Sequence, residues 1–157
     1  VSLKPLEDYA YALKTTITSN SAATLTAIQT EAADSITLDN FADVEVGYNN
    51  VFNQRRYPVC FIYPADVRYE NSAMSAELVT MRFEIWYAVT HKVTDTLTKK
   101  LMRYAAALRT IIFENNPLGG EVIDAVTQEA EFWPGGPDNA GIAAGKVVVS
   151  LVSELRN

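Results

Sequence analysis

One cysteine, Cys60, and one histidine, His91, are all that the 157-residue chain offers of the side chains that most often bind transition metals. A single cysteine forms no intrachain disulfide, which excludes a disulfide-stapled scaffold. Cys60 lies inside the apolar run Pro58–Tyr63 and reads as a small buried thiol, so a Cys–His nucleophile pair lacks its exposed sulfur. His91 reads as an end-of-strand or capping residue. Basic residues are also few. Thirteen Lys and Arg stand against nineteen Asp and Glu, for a formal charge of -6, the reverse of the balance in a free-standing nucleic-acid binder. No run approaches the roughly 18 apolar residues of a membrane span. Val1–Leu6 has neither the basic start nor the apolar run of a signal peptide.

Motifs for chemistry are equally scarce. Gly119-Gly120 and Gly135-Gly136 lack the spacing and the following Lys of a phosphate-binding loop, and read as turns. No loop carries the spaced acids of a calcium site. Glu129 and Glu131 fall two apart on one strand face, which suits a solvated or interfacial face better than a pair of catalytic acids across a cleft. No cofactor is expected.

Apolar residues are abundant, at 48% of the chain, which is too many for intrinsic disorder. The length suits one domain spanning residues 1–157. In the first 34 residues, Leu3, Leu6, Ala10, Leu13 and Ile17 recur at helical spacing, and Ala22, Leu25, Ile28 and Ala32 form a second stripe. Ser19-Asn20-Ser21 interrupts them, so the pattern predicts two helices or one bent helix, with Ser21 as a candidate cap for the second. Val44 and Val46 suggest a short strand near 42–48, followed by a turn at Gly47–Asn50. Pro58 belongs at a strand start, Val59, Phe61 and Tyr63 alternate after it, and Pro64 should stop or bend that strand.

The strongest strand pattern covers Ala76–Thr90, after a polar link near Glu70–Ser75. Val79, Met81, Phe83, Ile85, Tyr87 and Val89 share one face, while Leu78, Thr80, Arg82, Glu84, Trp86 and Ala88 share the other. Fifteen residues extend to about 50 Å, against an expected radius of gyration near 15 Å, so the strand must curl, bulge or project. A helix over Asp95–Glu114 follows, with Thr94 as its expected N-cap and Asn115–Gly120 as its stop. Strands over Glu121–Phe132 and Gly145–Leu155 close the chain around a loop, Trp133–Gly141. The expected fold is α+β: a mainly antiparallel sheet packed with an N-terminal helical segment and one long central helix.

Two surfaces stand out as candidate interfaces. Leu78 and Trp86 place apolar bulk on the second face of the long strand, and Trp133, Pro134, Gly135, Gly136 and Pro137 open the glycine- and proline-rich loop. Helices from Leu3–Ala33 could cover that second face within one chain; otherwise it is a subunit or partner contact. Lys99, Lys100, Arg103 and Arg109 form a basic stripe on the central helix. It reads as a solvated face, a candidate electrostatic interface with another subunit, or, least well supported, a nucleic-acid contact.

The order of these elements resembles the tail terminator, or tail completion, proteins of long-tailed bacteriophages. The likeness rests on the Leu6–Ile17 helix, the Tyr57–Tyr63 strand, the long Glu77–Tyr87 strand and the Leu101–Ile112 helix with its Asn115–Gly120 turn. The final strand pair completes it, so it covers about residues 3–155. The long Ser21–Asp34 stretch and the proline-rich Trp133–Gly141 loop depart from the family pattern and leave a neighbouring neck adaptor as an alternative. A small dimeric binding domain and an enzyme are more distant alternatives. The resemblance implies a non-enzymatic virion protein of the tail-neck region, assembled in the host cytoplasm. It implies a homo-oligomeric ring of six subunits that caps the tail tube protein, stops tube growth and meets the head–tail connector or stopper protein. Genomic DNA would pass through its lumen without sequence recognition, and no membrane or cofactor is involved.

Overall fold

The computed structural model describes residues 6–116, 118, 119, 122, 124–134 and 141–156. Helix α1 spans Glu7–Ala32 and buries Tyr9, Ala10, Leu13, Ile17, Ser21 and Leu25 along one stripe. It is continuous, where the sequence suggests an interruption at Ser19–Ser21. The polar residues do not break it because Thr16, Asn20, Thr26 and Thr30 each donate to the carbonyl four residues earlier. Ser21 caps nothing. It sits buried in mid-helix and its hydroxyl donates to Asn40 Oδ1 at 2.6 Å, tying the helix to the chain that follows.

Five strands make one sheet: β1 (Asp43–Val46), β2 (Val59–Ala73), β3 (Ala76–Thr90), β4 (Asp124–Pro134) and β5 (Ile142–Arg156), in the order β1-β2-β3-β5-β4. Every pairing is antiparallel except the short β1–β2 ladder, which is parallel. Helix α2 spans Thr94–Glu114, starting one residue earlier than expected. Val93, not Thr94, stands at its N-cap, without a side-chain cap. His91 takes the expected end-of-strand role, its Nδ1 accepting the Val93 N–H at 3.0 Å.

The long strand meets its length problem by pairing and bulging together. β3 pairs with β5 along its whole length, from Ala76 opposite Arg156 to Thr90 opposite Ile142. β2 runs on past Pro64 to Ala73, so the proline bends the strand without ending it, and the pairing with β3 shifts register between Pro64 and Asp66. The expected polar link shrinks accordingly to the tip of this hairpin. β1 covers only Val59–Ile62 of β2, and β4 reaches only as far as Val152 of β5. The sheet therefore narrows toward the end that holds Leu78.

Period two then sorts the side chains. Val79, Met81, Phe83, Ile85, Tyr87 and Val89 of β3 and Val147, Val149 and Leu151 of β5 are buried on one face. They form one cluster with Leu13, Ile17 and Leu25 of α1 and with Leu101, Tyr104, Leu108, Ile111 and Ile112 of α2. Both helices thus lie on the same side. The N-terminal helix does not cover the second sheet face, because its apolar stripe is already engaged beside α2 on the first. Buried tyrosines lock this layer: Tyr87 donates to the Leu101 carbonyl at 2.5 Å, and Tyr104 donates to the Asp39 carbonyl. Gly145 makes room for Tyr87. A Cβ at that position would lie 2.3 Å from the tyrosine ring.

Candidate subunit interface on the open sheet face

The second face of the sheet begins from the same alternation. Phe61, Trp86, Lys146 and Glu131 occupy one row across β2, β3, β5 and β4, because each is the register partner of the next. Trp133 lies two residues beyond Glu131 on the same face, opposite the small Ala144. Nothing bulky separates it from Trp86, and the two indoles stack with centroids 5.0 Å apart and planes 21° apart. Tyr48, from the turn after β1, meets Trp86 edge-on at 5.9 Å and Tyr63 at 6.0 Å. Offset and edge-on geometries of this kind favour aromatic pairs beyond simple area burial.

Lys146 completes the cluster. Its Nζ lies 5.5 Å from the Trp86 ring centre and 5.6 Å from that of Trp133, a cation–π arrangement. The same ammonium lies 3.3 Å from Glu84 and 3.9 Å from Glu131. Its side chain is only 16% exposed, and that of Glu84 20%, so the pair is partly shielded from water and from salt. At the neighbouring end of the face, Val59, Phe61, Ala88 and Ala144 are buried with Val51, and Phe52, Tyr57 and Ile142 pack against them. The loop 47–57 folds over this corner, held by a Tyr57 hydroxyl that donates to the Val51 carbonyl at 2.8 Å. Tyr48 and Tyr63 remain exposed beside the tryptophans.

The sequence-derived candidates separate in space. Trp86, Trp133 and Pro134 come together, but Trp133 and Pro134 belong to β4 and not to a loop, because β5 continues to Ile142 and gives them partners in Ala144 and Ala143. Leu78 shares the face but lies eight residues along β3 from Trp86, about 27 Å at strand rise, half-buried in the narrow end. Gly135, Gly136 and Pro137 lie outside the described residues. The site also takes in Tyr48, Tyr63, Glu84 and Lys146, which the sequence pattern alone does not mark as interface residues. The signal for Lys146 was its alternation with the inward Val147, which places it outward in any sheet that pairs β5 with β3.

The basic stripe is largely engaged within its own chain. Arg103 makes a two-pronged contact with Asp34, at 3.1 and 2.6 Å. The hydrogen bond from Arg103 holds the Asp34 carboxyl below the ordinary carboxylate value, and the same bond raises Arg103. Lys99 pairs with Asp95 one turn earlier at 3.2 Å. Lys100 and Arg109 form no ion pair among the described residues.

Chemistry of other kinds finds little support. Cys60 is fully buried and burial pushes its thiol pKa far up, which leaves no thiolate at neutral pH. Burial likewise raises Tyr87 and Tyr104. Among the described residues, no group of three or more His, Cys, Asp or Glu is placed to hold a metal ion. No described helix is long and apolar enough to cross a membrane. A recess of about 280 Å³ beside the β2 bulge is lined mainly by apolar groups such as Ala10, Val46, Val67 and Met81.

No protein-family model matches the chain, and no curated protein does. Among solved structures, the chain is similar to one from the virion of a native gene transfer agent particle, with a TM-score of 0.50 and 12% sequence identity. The match covers 86% of this chain and 92% of that one, so the fold is shared over nearly the whole of both.

Proposed function

We propose that this chain is a structural virion protein that caps the tail tube as a tail terminator, forming a closed ring between tube and head–tail connector. The observation that carries the reading is the open sheet face. It concentrates Trp86, Trp133, Tyr48 and Tyr63, and neither helix covers it. Large aromatics at the centre of a surface patch are the residues that most often anchor protein association. The fold shared with a chain of a virion particle supports the setting. The particular order of helix, long hairpin, helix and strand pair is the one on which the resemblance to tail terminators rests.

The mechanism follows from geometry and not from bond chemistry. A subunit with two different sticky surfaces joins head to tail, and the chain of contacts ends only when the rotation closes. A closed ring seated on the last tube layer leaves no surface for another layer, and this stops growth. Its opposite side meets the connector. A formal charge of -6 per subunit suits a lumen that lets DNA pass without gripping its phosphates.

Particles assembled without this protein test the reading by electron microscopy. The terminator role gives tails of uncontrolled length and heads without tails. Tails of normal length that fail only to join heads assign the chain to a neighbouring neck adaptor. Normal particles contradict both.

A further inference from the structure

The open sheet face has a matching surface on the other side of the same molecule. Resting on the ring reading above, we propose that the solvent stripe of α2 seats on the Trp86–Trp133 face of the next copy. Lys99, Met102, Ala106, Arg109 and Phe113 follow each other at steps of three and four along α2, and all are exposed. Met102 is 51% exposed and Phe113 76%, so the stripe offers apolar side chains near both ends to a partner.

Charge selects the occupant. On the stripe itself Arg109 forms no ion pair among the described residues and Lys99 pairs with Asp95 at the exposed start of the helix, so the stripe is net basic in a chain that is acidic as a whole. Around the stacked tryptophans stand Glu84, Glu129 and Glu131, with Lys146 between Glu84 and Glu131, while the nearby Arg82 is held by Asp66. Pairing two α2 stripes would set Lys99 and Arg109 against like charges, and pairing two sheet faces would do the same with the glutamates. Helix stripe against sheet face brings opposite charges together and buries apolar groups from both. The two surfaces lie on opposite layers of the fold, so this contact is necessarily heterologous, which is what a ring requires. The end of the stripe is open to a partner, since Arg109 and Phe113 border a recess of about 260 Å³ between α2 and β4.

Cysteine cross-linking tests the docking directly, because the native Cys60 is fully buried and silent. Met102→Cys on the helix stripe and Tyr63→Cys beside Trp86 on the sheet face both replace exposed side chains, and so leave the core intact. The full-length protein carrying both is treated, when concentrated, with a flexible bis-maleimide. A ladder of linked chains ending at a closed species is expected. It should exceed by several-fold the linking of a control in which Tyr11→Cys on α1 replaces Met102→Cys. No excess over that control overturns the docking. Efficient dimers from either single variant overturn it too, since they show a two-fold contact. A ring seen by native mass spectrometry alongside a failed ladder leaves the ring standing and removes only this interface. A two-fold dimer as the sole assembly removes the ring as well.

Discussion

The two faces of the sheet differ in how they are closed. On the helix side, residues such as Phe83, Ile85 and Val149 are buried within one continuous apolar cluster, and the buried hydroxyls beside them, such as those of Tyr9, Ser21, Tyr87 and Tyr104, each have a hydrogen-bond acceptor. On the other side, a lysine stands between two glutamates and two stacked indoles, and a loop covers one corner. The first face is a finished core. The second is apolar at its centre with charge around it, the arrangement on which the proposed subunit contact rests. Alternation along one strand produces both, and the difference lies in what the rest of the chain supplies to each side.

Substitutions three residues apart on β3, one on each face, sharpen this contrast most. Phe83→Ala should lower folding stability by roughly 3–5 kcal/mol in denaturant unfolding, as truncation of a large buried aromatic does. Trp86→Ala should cost folding only about 1 kcal/mol, the scale of a lost aromatic pair, yet weaken association by about 2 kcal/mol or more, the scale of an interface anchor. Equal folding losses for both would erase the distinction between the faces.

Gly145→Ala comes next in size. It leaves the outer face unchanged in composition but drives a methyl group into the Tyr87 ring on the inner one. Overpacking of this kind typically costs about 1–3 kcal/mol. The thermal midpoint should fall, and Gly145→Ala combined with Tyr87→Phe should still be destabilised, because the clash involves the ring carbon as well as the hydroxyl.

The smallest effect concerns the link between α2 and the segment after α1. Asp34 is held below its ordinary value of 3.8 by Arg103, so its folded pKa is depressed. The contribution is fully present above the ordinary value and is lost as pH falls through the lowered one. Asp34→Asn should therefore be slightly less stable than the wild type at neutral pH, and the gap should close in acid. High salt should narrow it as well, as for any exposed pair. A gap that widens in acid would mean the carboxylate is not stabilised by Arg103.

Legibility followed the strength of periodicity. The long strand is readable because six apolar residues alternate without a break, and α2 because its apolar stripe ends in Pro-Leu-Gly-Gly. The placement of Phe83 and Trp86 on opposite faces follows from that period alone. The continuity of α1 was not legible, because Ser19–Ser21 looks like a cap until Thr16 and Asn20 are seen donating back along the helix. The parallel pairing of β1 is hidden by its shortness, and the sequence pattern of β4 ends at Phe132 because Trp-Pro reads as a loop start, whereas the strand runs to Pro134. The site was half legible. Both tryptophans drew attention separately, but their stacking depends on the register between β4 and β5, and the closing of Lys146 over them depends on two further strands.

The central claim is that the open face is a subunit contact in a closed ring within a virion tail. A cryo-electron microscopy reconstruction of the assembled tail end tests it most directly. The account predicts cyclic symmetry at the end of the tube, with Trp86 and Trp133 of each subunit covered by its neighbour. A two-fold dimer, or a ring in which both indoles face solvent, would contradict it.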